Sequence, residues 1–404
     1  MSAIALGELI TCSKGFQVPR DETDVDKEIP YLHYGDLYKK YDFRLNLNEK
    51  MDEIIKIDQS SKIKKDQYLE DGDIVFALTS ETVDDLGHCT LIFNPDGLPF
   101  VSGMETTVVH VKDKGVVNPS YLNYYFHSKG FQKRLRQYVT GMKVYRVHPD
   151  DMKEIEIELP DIKIQKSIVN FLDAISDRIK TNGAINDNLL QCLRSLYHHY
   201  FNEQSVGIIQ IGEVSKIYSG GTPNTSEASY WNGGINWLSS GETRNQFILN
   251  TEKKISNEGV SNSSTKKAFC FDTVIASAGQ GLTRGQTSML LTDTYINQSV
   301  IVVHPDERYR IAIYCNLGER YDELRNLSDS SSIRGSITTG IVSDLEMPLC
   351  SSDDLDMFNK ESTAIVKLIK SNMEQIERFV SLRDYLLPKL MSGEIDVSTL
   401  EIPN

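Results

Sequence analysis

The chain has 404 residues, more than a single hydrophobic core usually organises, so two domains are expected. Apolar residues make up 40% of it and charged residues 25%, a globular composition that argues against long disordered segments. The net charge of −14 argues against a protein that coats nucleic acid without specificity, because such binding depends on excess lysine and arginine.

The N-terminal segment MSAIALGELITCSKG lacks both the basic flank and the apolar stretch of a signal peptide. Elsewhere no run of about 18 uncharged apolar residues occurs, so a cytoplasmic protein without membrane contact is expected. The six cysteines form no CxxC pair and have no histidine at a zinc-binding spacing, which predicts reduced thiols and no metal site.

The chain contains an internal duplication. Four segments of the first half recur in the same order in the second half, while the offset between them falls from 205 to 194. They are IALGELITCSKG (4–15) with IQIGEVSKIYSG (209–220), IPYLHYGDL (29–37) with INWLSSGET (235–243), DIVFA (73–77) with TVIAS (273–277), and TVVH (107–110) with IVVH (301–304). A drifting offset in constant order indicates two duplicated domains with loops of different length.

Each copy consists of short β-type runs that are punctuated by Gly, Pro and Asn, with a few helical pieces. One helix is predicted over residues 119–137. Each copy closes on a strand-like run that ends in proline, EIEIELP at 154–160 and DLEMP at 344–348. Both domains are therefore expected to be mixed α/β.

A long helix is predicted after each domain. Residues 164–201 contain no proline, and apolar residues there recur at alternating steps of four and three, which is typical of a coiled-coil seam. The same spacing recurs from residue 365 to 390, with Asn182 and Asn372 at matching positions, where a seam asparagine would fix the register.

Neither helix can bury its apolar stripe alone, so the two are expected to pair. Only a few residues separate residue 201 from residue 207, and so short a connection favours an antiparallel pair. The alternative is that each helix docks on its own domain. The predicted pairing residues are Ile168, Leu172, Ile175, Ile179, Asn182, Leu189, Leu193, Ile365, Ile369, Asn372, Ile376, Phe379 and Leu386.

The predicted fold class is thus α+β, with two duplicated mixed α/β domains separated by two long helices that form an antiparallel coiled coil about a pseudo-twofold axis. The expected boundaries are residues 1–160 for the first domain, 161–205 for the central helix, 206–350 for the second domain, and 351–404 for the C-terminal helix and tail. The first helix, at about 1.5 Å per residue, would span roughly 57 Å and hold two heads apart.

The segment SGGTPNTSEASYWNGGINWLSSGE at 219–242 resembles the opening of the target-recognition domains of type I restriction-modification specificity (S) subunits. Both copies and both helices fit this family, and the second helix ends in the similar LLPKLMSGEIDV. The first copy departs from the pattern, because KGFQVPRDET stands where the second has GGTPNTSEA. Base contacts are therefore harder to place in the first domain.

The resemblance implies a non-catalytic DNA sequence-recognition subunit without a cofactor. Each target-recognition domain would read one half of a bipartite double-stranded DNA target. The helices would set the spacing and dock two modification (adenine-N6 methyltransferase) subunits, and restriction (translocase/nuclease) subunits can join such a complex. Partner subunits would then meet much of the DNA charge, in keeping with the acidity of this chain.

Base readout in the major groove needs Arg or Lys for guanine and Asn or Gln for adenine. Residues 129–148 hold six basic residues, no acid and three interleaved aromatic residues, which indicates either a nucleic-acid surface or a solvated helix face. The predicted DNA-binding residues are Lys62, Lys64, Lys65, Lys133, Arg134, Arg136, Lys143 and Arg146 in the first domain, and Lys266, Lys267, Arg284 and Arg334 in the second.

No Asn/Asp-Pro-Pro-aromatic tetrapeptide for a flipped adenine occurs. The glycines of AGQGLTRG (278–285) depart from the dinucleotide fingerprint and are interpreted as a tight turn that brings Arg284 to the surface. The hydroxyl-rich residues 330–332 have no His and acid in a recognisable relation, so acyl transfer is not predicted.

Two alternatives stay open at this point. Asp150, Asp161 and Lys163 imitate the two carboxylates and lysine of a magnesium-dependent DNA endonuclease, although Asp161 and Lys163 fall at a helix start where capping explains them. The second alternative is a coiled-coil scaffold that does not read DNA. His198 and His199 are expected to cap the helix or contact partners rather than bind metal.

Overall fold

The computed structural model describes residues 3–19, 22–24, 26–41, 43–59, 62–278, 282–330 and 335–397. The chain forms two compact units, one built from residues 1–178 and 379–404 and the other from residues 179–378. Each unit holds one copy of the duplicated sequence, and each is a mixed α/β structure. The predicted duplicated α+β architecture is confirmed.

The first unit contains twelve strands and six short helices among the residues that the structure describes. The strands are β1 (Ala3–Ala5), β2 (Ile10–Lys14), β3 (Ile29–Leu32), β4 (Arg44–Asn46), β5 (Lys56–Ile57), β6 (Ile74–Phe76), β7 (Thr79–Ser80), β8 (Cys89–Phe93), β9 (Val101–Ser102), β10 (Thr107–Val111), β11 (Tyr145–Arg146) and β12 (Glu156–Glu158). The helices are α1 (Leu6–Leu9), α2 (Asp36–Lys39), α3 (Leu47–Lys50), α4 (Pro119–His127), α5 (Lys129–Leu135) and α6 (Pro149–Lys153), followed by the long helix α7 (Ile162–Tyr197).

The second unit contains eleven strands and four short helices among its described residues, in a similar but not identical order. Its strands are β13 (Gly207–Gln210), β14 (Ser215–Ser219), β15 (Trp231–Leu238), β16 (Phe247–Ile248), β17 (Lys253–Ile255), β18 (Lys266–Ala268), β19 (Thr273–Ala276), β20 (Thr287–Leu290), β21 (Thr294–Ile296), β22 (Val300–Pro305) and β23 (Glu346–Leu349). Its helices are α8 (Asn257–Ser261), α9 (Arg310–Gly318), α10 (Tyr321–Ser330) and α11 (Thr339–Ser343), followed by the long helix α12 (Ser352–Met391).

Each unit is built on one five-stranded sheet with the same topology. Its strand order is β2-β10-β6-β8-β4 in the first unit and β14-β22-β19-β20-β16 in the second. In both sheets the last strand pairs in parallel and the other pairs are antiparallel. A smaller sheet lies beside it, β5-β3-β9 in one unit and β17-β15-β21-β18 in the other. The duplication thus extends to strand order and direction.

The strand register corrects the predicted alignment of the two copies by one residue. Asp73 accepts a hydrogen bond from His110 on the neighbouring strand, and Asp272 accepts one from His304. DIVFA at 73–77 therefore corresponds to DTVIA at 272–276 rather than to TVIAS. A slip by one residue would turn every side chain of a strand to the opposite face of the sheet. The strand register, rather than the similarity of the residues, therefore decides how the two copies align.

The glycines shared by the two copies lie where backbones approach closely. A Cβ atom at Gly15 would come within 1.9 Å of the Gly103 carbonyl oxygen, and one at Gly220 within 2.2 Å of the Ile296 carbonyl oxygen. Both positions lie where the first strand of the large sheet ends against the smaller sheet. The duplicated motif thus records a packing requirement in each unit.

The helix predicted over residues 119–137 is two helices. α4 ends at His127, and Ser128 adopts an extended conformation with its hydroxyl accepting a hydrogen bond from the Phe131 amide, which begins α5. Serine competes well as an N-cap because its side chain satisfies an amide that has no partner within the helix. A short 3₁₀ turn, Arg136–Tyr138, follows α5.

The two long helices run antiparallel within the second unit. The Asn182 side chain donates to Gln375 at 3.5 Å, and the Asn372 side chain donates to Asn186 at 2.9 Å. As the residue number rises along α7 it falls along α12, so the predicted antiparallel pairing is confirmed here. α7 is 36 residues long and α12 is 40 residues long, and α7 continues into a π-helical turn at His198–Glu203.

The same helices also pack on the domain of the second unit. Leu193 and Phe201 of the first helix and Phe358 of α12 join one hydrophobic cluster with Met289 and Ile301 of the five-stranded sheet. Pairing and docking on the domain therefore occur together in this unit. No helix in the described part of the chain is both long enough and apolar enough to cross a membrane.

Candidate nucleic-acid interface

In the first unit, the predicted basic run ends in a β-hairpin formed by residues 139–147. The backbones of Thr140 and Arg146 exchange two hydrogen bonds of 2.9 Å, and β11 pairs with β7. Gly141 has φ +107°, and a Cβ there would approach the Val144 carbonyl oxygen to 2.1 Å, so the turn requires glycine. Lys143 and Arg146 are exposed.

The helical part of the run is partly committed to the fold. The Arg134 guanidinium donates to the Glu156 carbonyl oxygen at 2.5 Å, and Arg136 lies 3.3 Å from Asp84. Lys133 is exposed on the same helix. All five predicted basic residues of this run reach solvent, but Arg134 also ties α5 to the strand that closes the domain.

The second basic cluster of the first unit, Lys62, Lys64 and Lys65, is exposed. A 3₁₀ turn at Lys65–Gln67 places it beside the end of β2, because the Gln67 side chain donates to the Gly15 carbonyl oxygen at 3.2 Å. β2 ends where β10 begins and where β6 ends. β7 comes directly after β6 in the chain and pairs with β11 of the hairpin, so the hairpin lies at this end of the sheet too. Both basic clusters therefore lie at the same end of the five-stranded sheet.

A row of aromatic side chains at this sheet end was not predicted from the sequence. The rings of His33 and Tyr34 are 4.5 Å apart, those of Tyr34 and Tyr38 6.4 Å, and those of Tyr38 and His88 5.0 Å. Tyr34 is 41% exposed, and it lines a cleft of about 420 Å³. Flat exposed rings are side chains that can stack on nucleic-acid bases. The only sequence signal was the density of aromatic residues in IPYLHYGDLYKKY, and it gave no reason to include His88.

In the second unit the predicted lysines already have protein partners. Lys266 lies 5.7 Å from the Tyr218 ring, and Lys267 lies 2.8 Å from Asp293 and 5.0 Å from the Phe269 ring. The hydrogen bond to Asp293 holds the pKa of Lys267 above its ordinary value. Both side chains remain exposed at the edge strand β18.

The predicted surface position of Arg284 is wrong. The residue is 8% exposed, because its guanidinium donates to Asp329 at 2.6 Å and so ties the loop after β19 to α10. A contact from Arg284 to DNA would require this ion pair to open. Arg334 lies outside the described residues, as do Gly279 and Gly281 of the predicted tight turn.

The signature segment of the second copy builds part of the smaller sheet. Trp237 is buried, and its ring packs edge-on against Trp231 at 5.1 Å. The Trp231 indole donates to the Asn224 carbonyl oxygen at 3.1 Å, and Lys253 lies 6.0 Å from its ring. Trp231 and Lys253 line a surface cleft that also contains Lys254, a basic residue pair that the sequence analysis did not single out.

The thirteen predicted pairing residues are all buried or half-buried. Two further buried positions lie next to the predicted seam, Leu190 on α7 and Val366 on α12. Both belong to the cluster that joins the helices to the second domain. The apolar surface of each helix is therefore wider than a two-position seam, because it packs on a sheet as well as on the other helix.

Ser13, His110 and Asp73 meet in the geometry of a nucleophile, a base and an orienting acid. The Ser13 hydroxyl lies 2.8 Å from Nε2 of His110, and Nδ1 of the same ring lies 2.9 Å from Asp73. The second copy keeps the His304 and Asp272 pair at 2.6 Å, but Tyr218 occupies the register position of the serine. A feature common to both copies is explained by the fold that they share, and not by catalysis in one of them.

The acid of this pair also organises a turn before its strand. Asp73 accepts from the Glu70 amide at 2.7 Å, and Asp272 accepts from the Phe269 amide at 2.8 Å. Each aspartate thus joins a turn to a histidine on the neighbouring strand. Burial alone would lower the pKa of His110, but the hydrogen bond to Asp73 and the nearby negative charges of Asp73, Glu70 and Asp66 raise it above its ordinary value.

Replacing His110 by Asn should reduce the pH dependence of stability of the first unit. A histidine with a raised folded-state pKa contributes stability that is fully present below about pH 6.5 and is lost as pH rises through the folded-state pKa. We expect wild type to lose about 1 kcal/mol of unfolding free energy over that interval relative to the variant. Urea midpoints of the first unfolding transition between pH 5.5 and 8.5 measure this effect.

Parallel pH profiles of stability for wild type and His110→Asn would refute this prediction. The control variant Ser13→Ala keeps the contact between His110 and Asp73, so it should retain the wild-type slope.

The residues of the endonuclease alternative have structural partners. Asp150 binds Lys153 at 2.9 Å, and the Asp161 carboxylate accepts from the Lys163 amide at 2.8 Å at the start of α7. His198 lies 2.9 Å from Glu319 and His199 lies 3.1 Å from Glu203. Within the described residues, no group of three or more His, Cys, Asp or Glu side chains is placed to hold a metal ion. Nothing here supports an endonuclease.

Two copies of one α/β domain, each built on a five-stranded sheet of the same topology and each followed by a long helix, define a duplicated protein with two related units. The sequence profile of the type I restriction modification DNA specificity domain matches residues 2–191 and 204–377. The chain belongs to this family.

Three relatives are specificity subunits of type I restriction enzymes. The HindI subunit of Haemophilus influenzae is 25% identical over 195 residues, which cover 46% of this chain and 40% of the relative. The EcoR124I/EcoR124II subunit of Escherichia coli is 26% identical over 249 residues, covering 57% and 60% respectively. The MjaIX subunit of Methanocaldococcus jannaschii is 23% identical over 325 residues and 71% of each chain. The match thus spans about half of the length of the first two relatives.

The fold is also similar to a solved structure. The crystal structure of the S subunit of a type I restriction-modification system from M. genitalium superimposes with a TM-score of 0.58 at 14% identity, covering 96% of this chain and 95% of the other. At this identity the similarity concerns the fold.

Proposed function

We propose that this chain is the DNA sequence-recognition subunit of a type I restriction-modification complex. Each of its two target-recognition domains reads one half of a bipartite target in double-stranded DNA. The paired helices set the distance between the half-sites and dock the adenine-N6 methyltransferase subunits. The proposed limits are residues 1–160 and 206–350 for the two domains, with the helical segments at 161–205 and 351–404.

One observation carries this proposal: the two domains share a framework but differ where they would meet a ligand. At corresponding ends of the five-stranded sheets, the first domain has a basic hairpin and an aromatic row, whereas the second has the loop after β19, whose Arg284 is paired with Asp329. The exposed lysines of the second domain lie on β18, the edge strand of its smaller sheet. A common framework with unlike loops suits two unlike half-sites separated by unread base pairs. A simple scaffold would have no need of such a difference.

The partners follow from the same reasoning. With a net charge of −14, this chain is poorly suited to bind DNA alone, so two methyltransferase subunits would supply much of the phosphate contact. Restriction subunits would join to cleave. A subunit of this kind works where the DNA of the host lies, so the predicted cytoplasmic location belongs to the proposal.

The proposal is tested by assembling the chain with its modification subunits and sequencing the methylated bases in a host that expresses them. We expect one interrupted, asymmetric motif with methylated adenines. Gel shifts with that motif should show an affinity that depends on the site and falls steeply with salt. Complex formation with neither a methylated motif nor site-dependent binding would favour the scaffold that does not read DNA.

The purified chain alone should neither methylate nor cut DNA. It lacks the adenine tetrapeptide, and the carboxylates at 150 and 161 are engaged at helix starts. Incubation with a methyl donor, and separately with magnesium, should leave a plasmid carrying the motif unchanged. Metal-dependent nicking that disappears in Asp161→Ala would overturn this prediction. Asp151→Ala is the matched control for a nonspecific loss of charge near the same helices.

A further inference from the structure

The hairpin at residues 139–147 ends in an apolar side chain that lies almost entirely in solvent. Met142 is 92% exposed, more than any other large hydrophobic residue among those the structure describes. Val144 beside it is 45% exposed. Exposing a methionine forfeits the transfer free energy that its burial would provide, so an apolar contact with a ligand would stabilise a complex.

This exposed tip is held in place. The hairpin closes on the paired Thr140 and Arg146 backbones, and its turn packs Gly141 directly against the Val144 carbonyl oxygen, where no Cβ would fit. At its base, the Val147 amide donates to the Leu78 carbonyl oxygen at 3.0 Å, and the Val147 side chain is buried. A preformed tip can fit a partner without a large ordering cost.

The charge of the hairpin indicates what it meets. Residues 139–147 carry Lys143 and Arg146 and no acid, and these two side chains have no protein partner within the described structure. In a chain of net charge −14, a basic ribbon without acidic residues attracts a nearby polyanion. DNA bound by the first domain would be a polyanion and would lie close to the ribbon.

The shape of the ribbon selects the groove. The major groove of B-DNA is wide enough for a two-stranded β-ribbon, whereas the minor groove is about half as wide. Among base edges, the major-groove edge of thymine alone carries a methyl group. An apolar tip followed by two cations on the same strand of the hairpin therefore matches a thymine methyl with phosphates beside it.

We propose that the hairpin at residues 139–147 enters the major groove of the first half-site and that Met142 contacts a thymine methyl group, with Lys143 and Arg146 on the flanking phosphates or base edges. This inference rests on the proposed function and names a specificity-determining residue within it. It also assigns a reading element to the first domain, where the family signature is weak.

The test removes the methyl group from each side of the contact in turn. The complex of the full chain with its modification subunits is bound to unmethylated duplexes that contain the target motif found by sequencing. In each duplex, one thymine of the first half-site is replaced by deoxyuridine. We expect one replacement to weaken binding by wild type about fourfold, the value for one methyl group removed from water. Met142→Ala should bind the thymine duplex more weakly and show no further loss with deoxyuridine at that position.

Two matched variants separate shape from charge. Met142→Leu keeps an apolar tip and should keep the sensitivity to deoxyuridine. Lys143→Ala should also keep it, but should reduce the slope of log Kd against log salt by about 1 if Lys143 neutralises one phosphate. Both variants alter exposed side chains, and assembly with the modification subunits checks that each is folded.

Three outcomes would overturn the inference. The first is site-dependent binding in which Met142→Ala and wild type respond alike to every deoxyuridine. The second is a 2-aminopurine unstacking signal that is lost in Met142→Ala, which would place the side chain between base pairs. The third is loss of modification-subunit binding in the same variant, which would make the tip a protein contact. Failure of the proposed function itself is distinct, because wild type would then show no site-dependent binding to any duplex.

Discussion

Inserting one heptad into both long helices should lengthen the unread spacer of the DNA target and leave both half-sites unchanged. Seven residues preserve the four-and-three seam, whereas any shorter insertion rotates it out of register. The matched insertion points lie after residue 183 in α7 and after residue 373 in α12. They leave the bond from Asn182 to Gln375 on one side and the bond from Asn372 to Asn186 on the other.

The added length fixes the expected size of this effect. Seven residues at about 1.5 Å each add about 10 Å, or roughly three base pairs at about 3.4 Å. Three base pairs also turn the duplex by about a third of a helical turn, so some affinity should be lost. The informative measurement is therefore the preferred spacer, found by selecting bound or methylated sites from a library in which only the spacer length varies.

A control insertion of seven Gly and Ser residues after Ser205 lengthens the connection to the second domain without lengthening either helix. This variant should keep the original spacer. If the heptad variant also kept the original spacer, or if it changed a half-site, the helices would not set the distance between the reading domains. That result would remove the spacing role from the proposed function and leave base reading untouched.

The regular parts of this molecule could be predicted from the sequence because their signals are periodic. The long helices follow from apolar spacing at four and three, and the duplicated domains follow from motifs that recur in order. The motif glycines Gly15 and Gly220 prove to lie where no Cβ fits, which explains why they stand out in both copies. Periodic burial and close backbone packing both restrict which residue types can occupy a position, so both can be recognised in the sequence.

Features set by contacts between distant segments left no such trace. The helical pattern runs through Ser128, but its hydroxyl caps a new helix there. The sequence shows that Arg284 is charged, but not that Asp329, 45 residues further on, removes it from the surface. In the same way, His88 joins an aromatic row because the fold brings its loop to Tyr38. For this reason the positions of Lys and Arg in the sequence identified candidate DNA contacts but could not distinguish exposed side chains from buried ones.

The two copies also show how a duplicated framework can change function at one position. The His–Asp pair of the large sheet is present in both units, yet Ser13 of one unit corresponds to Tyr218 of the other. Tyr218 donates to the Lys267 carbonyl oxygen at 2.7 Å and so anchors the edge strand that carries the predicted lysines. The shared pair stabilises the sheet, and its neighbour is free to support a surface specific to that domain.

A chain truncated to residues 1–205 should form a homodimer that directs methylation of a palindrome. In the full chain the first compact unit is completed by residues 379–404, which the truncated chain lacks. Aligning Asn372 of α12 with Asn182 of α7 places residues 189–201 of α7 in register with residues 379–391. The end of α7 from a second copy can therefore take the place of the missing helix.

The polar seam contacts favour this exchange. In the full chain, Asn372 donates to Asn186, and the same alignment would give two equivalent bonds in a homodimer, from Asn182 of each copy to Asn186 of the other. Their midpoint falls at Ala184, so the pair has a true twofold axis there. Twofold proteins read inverted repeats, and both heads would now be the first domain.

With the modification subunits supplied, we therefore expect methylation at a symmetric interrupted site made of two inverted copies of the first half-site. Light scattering gives the mass of the truncated chain, and methylome sequencing of cells that express only this form gives the motif. Asn182→Leu should remain dimeric through the apolar seam but lose a unique register, which would appear as mixed spacer lengths. An asymmetric motif, or a folded and strictly monomeric fragment, would show that the ends of α7 and α12 are not interchangeable, and that the first unit needs its own C-terminal segment to read DNA.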